Sequence, residues 1–450
     1  MFLSNGQLVY SPTDLTRYMS SHFACWMDRL SLEHPHISQQ KDKPDPLMQA
    51  LAKKGLALED IQEEKFIQQG KTLIKITGNS DTDKFLKTKE SMQSGIDIIA
   101  QARLEMGQFC GFADFLVKVP HNDNDTPSHL GDWHYEAWDS KLANSVKTSF
   151  IVQLCSYSQM LESIQGVLPK HITVVLGNGS QSRYSVKDYY SYYSKLLSSF
   201  INAQENFNPD QRPDPSASKN WENWSDLAKQ ILLEQDHLSQ VADISKSQIK
   251  KLNHAEINTL EQLSITDKEH ISGIHPEILQ KRIAQAKIQH ASLGLEIPKF
   301  EILKPEQGKK VGLALLPPLS PLDVFFDIEG YPLDVGGLEY LWGNIYFDNH
   351  GHRQFKDFWA HNKEQEKQCF KDFIDWVYQR WIEDPAMHIY HYANYEIAAC
   401  QKLMGRYGVC EDELDQLLRN NVFIDLYKLV KGGLLLGTPS YSIKNVELLY

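Results

Sequence analysis

Two short segments set carboxylates where a metal ion or a phosphate can use them. GQFCGFADFLVKV is a strand-like run, largely apolar around one acid, Asp114, and a buried acid of that kind needs a partner. HYEAWDSKLA, a second strand-like run, places Asp139 and Lys141 two residues apart, so a period of two turns both toward one face. Carboxylates delivered by two strands, with an ammonium beside the second, match what oxygen coordination of Mg²⁺ and charge stabilisation at a phosphate require. Lys141 can then polarise an attacking water and offset the charge that develops on the phosphate. In the amphipathic stretch TSFIVQLCSYSQML, Gln153 and Tyr157 lie four apart on one helical face, where they can clamp a nucleic-acid backbone.

A second set of acids lies far downstream. DVFFDIEGYP ends an apolar strand with Asp327 and Glu329, whose spacing projects both carboxylates from one face, a geometry suited to two metals. MHIYHYANYEIAACQKL reads as strand, turn and helix with Asn394 and Glu396 at the helix start, and FIDLYKLVK puts Asp425 beside another helix. His391, at a strand end, is expected to be a hydrogen-bonded structural residue rather than a ligand.

The elements that must hold these residues fall into three expected units of an α/β chain. Helical and strand-like segments mix over 1–207, with strands expected around 72–76, 111–119, 133–138 and 172–176. The polar, proline-bearing stretch 208–219 reads as a linker. Residues 220–297 are helical in character, and a second linker rich in Pro and Lys covers 298–321. A new α/β pattern fills 321–450, and the sequence stops at Tyr450 just after a segment that reads like the start of another element, so truncation is expected.

The first set of residues resembles the PD-(D/E)XK nucleases of the RecB-like branch. GFADFL supplies Asp114, DSK supplies Asp139 and Lys141, QLCSY supplies Gln153 and Tyr157, and GLALE supplies a helical Glu59, in the family's order. The resemblance implies that Glu59, Asp114 and Asp139 hold Mg²⁺ or Mn²⁺. Where many relatives carry a His just before the helical Glu, this chain has Leu58, so coordination would lean on carboxylates. The segment DHLSQVADISKSQIKKLNHAEINTLEQLS resembles a helix-hairpin-helix-like connector. It has Glu256 where a Gly would let backbone amides approach a phosphate. SASKNWENWSDLAKQ keeps Trp221 and Trp224 but none of the cysteines of relatives, so no iron-sulfur cluster is expected. The DIEG segment resembles the first motif of RNase H-like 3′-5′ exonucleases of the DnaQ type, which makes Asp327, Glu329 and Glu396 metal ligands and Asp425 a structural acid; the family's last motif would lie past Tyr450. The expected function is a metal-dependent nuclease acting on DNA ends or single strands in repair, recombination or defence, with a helicase as a possible partner. The rival expectation is a scaffold whose nuclease folds have decayed.

The bulk properties set outer limits. At 450 residues, 42% hydrophobic and 23% charged, the chain is in the globular range. A net charge of −12 argues against coating nucleic acid by bulk electrostatics but leaves room for a nuclease with local basic residues. Six scattered cysteines without a CxxC, no signal-peptide layout and no long apolar run are read as a cytoplasmic protein with reduced thiols and no membrane contact. GNGS at Gly177 and GGLLLG at Gly432 lack the setting of a nucleotide loop, and no GxSxG elbow occurs.

Overall fold

The structure, a computed structural model, describes residues 1–4, 6–121, 126–305, 308–334 and 336–450. Two compact units emerge, Met1–Ile231 and Leu232–Tyr450.

In the first unit, helix α1 (His22–Glu33) precedes a long helix α2 (Pro46–Gln68). Asp45 caps α2 through its carboxylate, which accepts from the Leu47 amide at 2.9 Å, and Pro46 fills the first turn, where a missing N–H costs nothing. Strands β1 (Leu73–Lys75), β2 (Ile98–Met106), β3 (Phe109–Pro120) and β4 (Trp133–Lys141) follow. After helix α3 (Thr148–Gln165) come β5 (His171–Leu176) and β6 (Gln181–Ser185). The six strands lie side by side in chain order. β2, β3 and β4 form an antiparallel meander, and β5 joins β4 in parallel after the α3 crossover. Parallel β5 is sandwiched, which is why ITVVL is apolar without alternation and buried throughout. Gly166, at φ +73°, ends α3 in the left-handed conformation that glycine adopts without strain.

The first unit runs beyond the end expected at 207. Trp224, Ala228 and Ile231 pack against Phe23, Ala24 and Met27 of α1, and the Trp224 indole donates to Asp28 at 3.0 Å. The composition of 208–219 is linker-like, but these apolar side chains fasten the segment after it to the first core.

The second unit begins with the helical stretch, in which α4 (Lys246–His254), α5 (Leu260–Ile265) and α6 (Pro276–His290) enclose a cluster including Leu238, Leu252, Leu260 and Leu279. Glu256, between α4 and α5, sits at φ +64°, a left-handed conformation that favours glycine. Of the second expected linker, residues 306–307 lie outside the described residues. Its strand Phe300–Ile302 pairs with Leu434–Leu436. Gly312, at φ +56°, crosses Gly432 so closely that a Cβ would strike the Gly432 carbonyl, so the glycines of GGLLLG serve backbone packing.

The remaining strands are β7 (Val324–Tyr331), β8 (Leu338–Phe347) and β9 (Arg353–Trp359), then α7 (Lys363–Glu383), β10 (Ile389–His391), α8 (Tyr395–Tyr407), β11 (Phe423–Asp425) and α9 (Leu426–Gly433). Their order in the sheet is β9-β8-β7-β10-β11, antiparallel across the first three and parallel from β7 onward. Val324, Phe326 and Ile328 of β7 point into a core with Phe370 and Phe373 of α7, which leaves Phe325, Asp327 and Glu329 on the other face. No helix among the described residues is long and apolar enough to cross a membrane.

Candidate functional site

The β3–β4 ladder stops at Phe115 and Trp138, one residue short of both acids. Beyond it, the Ser140 amide turns to the Asp114 carboxylate and donates at 2.7 Å. Asp139, 1% exposed, stays in register with β5 at Val174. Its Oδ2 lies 2.7 Å from the Lys141 ammonium, while its buried Oδ1 accepts no hydrogen bond among the described residues. The Lys141 ammonium also rests over the Phe150 ring at the start of α3, 5.6 Å from the centroid.

The fourth member comes from α2. Glu59 accepts from the Gln101 amide nitrogen at 2.5 Å, and Gln101 itself stands at φ +54° in the middle of β2. The β2–β3 ladder pairs Ala100 with Phe115 and Ala102 with Ala113 but skips the pair between, Gln101 and Asp114. A non-glycine residue held in that conformation inside a strand carries strain that its surroundings must hold in place. Here it aims a donor at Glu59, directly across from Asp114.

These four groups feel one another. Burial raises the Asp114 carboxyl well above the usual range, and the negative charges of Asp139 and Glu59 push it further. Burial likewise raises Asp139 and Glu59, with Lys141 pulling both back. Burial acts to lower the Lys141 ammonium, but the carboxylates of Asp139, Asp114 and Glu59 outweigh it and its pKa ends up raised. The cluster is rich in acids and short of positive charge, with Lys141 beside Asp139 and Lys75 acting on Glu59.

Tyr157 is 3% exposed, so it is not on the surface where a nucleic-acid contact would need it. Its hydroxyl donates to the Phe112 carbonyl of β3 at 2.7 Å, and Gln153 donates to that hydroxyl at 3.4 Å. In this arrangement the pair braces the strand that carries Asp114. Leu58 is buried as well and packs rather than presenting a ligand.

In the second unit, β7 and β10 are paired only at Val324–Ile389 and Phe325–Tyr390, and a cavity opens beyond that point. Asp327, Glu329, His391 and Glu396 all line it. Burial raises the Asp327 carboxyl, opposed by the Ile328 amide that donates to it at 2.9 Å and reinforced by Glu396 and Glu329. Glu396 is 4% exposed, and its buried Oε2 accepts no hydrogen bond among the described residues. Asp425 caps α9 by accepting from Tyr427 at 3.0 Å and also holds the Ala393 amide at 2.9 Å, fixing the turn before Glu396.

The structure corrects the expectation for His391. Neither ring nitrogen makes a hydrogen bond among the described residues, although the ring is only 2% exposed. Neither His391 nor Gln101 was legible as a site residue, because a lone His at a strand end and a lone Gln in a strand have no pattern. The only sequence hint was the carboxylate a few positions from each.

Among the described residues, no three His, Cys, Asp or Glu side chains are gathered about one point as they stand. What the two clusters offer a cation is chemistry: buried carboxylate oxygens that accept no hydrogen bond among the described residues, at Asp139 and Glu396. Trp221 and Trp224 are packing groups, and all six cysteines are free thiols.

Replacing Gln101 by Ala removes the donor that aims Glu59. The expected result is a roughly 10–100-fold weaker Mn²⁺ affinity at this cluster, the usual cost of losing a residue that orients a ligand. Titration calorimetry on the Gln101→Ala protein checks it, and an unchanged affinity would remove Gln101 from the site.

Comparison with known proteins bears on the second unit. A family model described as RNase_H superfamily matches residues 324–449. No curated protein matches the chain. The C-terminal part is thus an RNase H-like domain, of a kind that points to a nuclease-like action on nucleic acid.

Proposed function

We propose that the protein is a metal-dependent nuclease that hydrolyses DNA phosphodiester bonds, with its principal site in the first unit. The observation that carries this reading is the charge coupling of Glu59, Asp114, Asp139 and Lys141, which arrive from one helix and two adjacent strands. The order of elements around them, a helix, three antiparallel strands, a crossover helix and a parallel strand, supports a PD-(D/E)XK nuclease of the RecB-like kind.

In this reading Glu59, Asp114 and Asp139 would hold Mg²⁺ or Mn²⁺. When bound, the ion supplies Lewis-acid stabilisation of charge on the phosphate. Lys141 supplies the cation beside Asp139, released from that contact to steer a water toward phosphorus and to balance charge on the non-bridging oxygens. Gln153 and Tyr157 hold β3 in place while the DNA strand passes over it.

The RNase H-like domain would add a second centre at Asp327, Glu329 and Glu396, in the manner of a 3′-5′ exonuclease. The helical stretch from Leu232 to about 297 would serve as a connector in the sequence between the first nuclease unit and the RNase H-like domain. A role in repair, recombination or defence, beside a helicase, follows from the same reading. The competing reading, a decayed nucleic-acid scaffold, draws on Leu58 and on Glu256, whose backbone conformation favours glycine.

Calorimetric titration with Mn²⁺ separates the two. The nuclease reading expects binding to the intact chain that weakens by at least about tenfold in Asp139→Ala. Absence of any binding to the intact chain supports the scaffold.

A further inference from the structure

Buried polar groups in folded proteins are nearly always satisfied, so each one without a partner calls for an explanation. Among the described residues that line the cavity of the RNase H-like domain there are four such atoms, one of them Asn344 Oδ1. Both ring nitrogens of His391 lack a hydrogen bond, and so does Oε2 of Glu396, which lies 3.5 Å from His391 Nδ1. That contact brings the two groups within ion-pair reach but makes no hydrogen bond for either atom. The same cavity carries Asp327 and Glu329 on its facing strand. The imidazole is 2% exposed, at the end of a strand paired with the strand of Asp327, and its recorded polar contact is Glu396 at 3.5 Å, with no hydrogen bond to either ring nitrogen among the described residues.

We propose that His391 is a nitrogen ligand of a divalent cation held in this cavity with Asp327, Glu329 and Glu396, and that it biases the site toward transition ions of the Mn²⁺ type over Mg²⁺. The proposal rests on the reading of this domain as a metal-using nuclease and adds the ligand and the metal preference. A bound cation satisfies the imidazole lone pair and the free carboxylate oxygen together. Because the groups are not gathered about one point as they stand, ligation requires side-chain rotation toward the ion. Imidazole favours first-row transition ions, whereas Mg²⁺ is served by oxygen donors and water, so one nitrogen donor among carboxylates tips the selection. Asp425 is committed to backbone amides and stays outside the ligand set.

The test uses the full chain carrying Asp114→Asn and Asp139→Asn, which removes metal binding in the first unit, loaded with Mn²⁺ alone. Pulsed electron paramagnetic resonance reads directly bound nitrogen as an echo modulation. The expected result is a nitrogen-14 modulation that becomes the nitrogen-15 pattern when the protein is grown with labelled histidine, a check that needs no substitution at the site. His391→Asn should abolish the modulation and reduce the preference for Mn²⁺ over Mg²⁺ by about tenfold or more. Bound Mn²⁺ that depends on Asp327 but shows no nitrogen modulation overturns the His391 assignment while leaving the metal reading intact. No Mn²⁺ binding that depends on Asp327 overturns both.

Discussion

Replacing Asp114 by Asn is expected to stabilise the metal-free protein while lowering DNA cleavage by at least about 10²-fold. Asp114 lies in a buried pocket with two other carboxylates and one ammonium, and all three acids are pushed toward their neutral forms. At neutral pH the metal-free fold carries the cost of charge there. Asparagine keeps an acceptor for the Ser140 amide and removes one charge, which should contribute about 1–3 kcal/mol, or several degrees in Tm. The pH dependence fixes the sign. A carboxyl whose pKa is raised by folding contributes stability that is fully present below its unfolded value, near 4, and lost as pH rises through the folded value. The stability advantage of Asp114→Asn should therefore be largest at neutral pH, shrink as pH falls through the raised folded value, and be gone by about 4. Mn²⁺ should raise the Tm of the wild type more than that of the variant. A variant less stable than wild type at neutral pH without metal would show that Asp114 is a structural acid.

Replacing Trp224 by Ala should cost about 3–5 kcal/mol, because the indole is fully buried against α1 and the cavity left behind cannot refill. The fall in Tm should be on the order of 10 °C. Asp28 accepts the Trp224 indole while also meeting Arg17 at 2.6 Å and Lys41 at 3.2 Å, so the loss leaves its carboxylate with cations still beside it. Trp224→Phe, which keeps a ring and loses only the donor, should cost nearer 1–2 kcal/mol. Thermal melts of both variants check this, and a loss under about 1 kcal/mol for Ala would show that the segment is not fastened to the first unit.

The sequence was most readable where periodicity and chemistry coincided. Asp139 and Lys141 are two apart on a strand, and Asp114 is the single acid in an apolar strand, so alternation alone places them on sheet faces. Likewise Asp327 and Glu329 alternate with buried Phe326 and Ile328. Glu59 lies on a helix that carries several other acids, among them Asp60, Glu63 and Glu64, and only the order of motifs singled it out.

What escaped was set by tertiary contact. Whether Tyr157 faces solvent or the Phe112 carbonyl depends on the depth of α3 against β3, which no helical pattern encodes. Gln101 acts through an unusual backbone angle, and His391 through the lack of a partner. Residues 208–219 read as a linker by their prolines and polar residues, and 220–231 as part of the helical stretch, whereas Trp221 and Trp224 pack against the first core. The two glycines at 432–433 looked like a loop and are instead the place where two backbones cross.

Cleavage of end-labelled single- and double-stranded DNA with Mg²⁺ or Mn²⁺ tests the central claim most directly. The proteins compared are the wild type, the double variant Asp114→Ala with Lys141→Ala, and Asp327→Ala. The expected result is metal-dependent cleavage by the wild type that the double variant loses and Asp327→Ala largely keeps. Cleavage retained by the double variant and lost in Asp327→Ala would move catalysis to the RNase H-like domain, and no cleavage by the wild type with either metal would contradict the nuclease account.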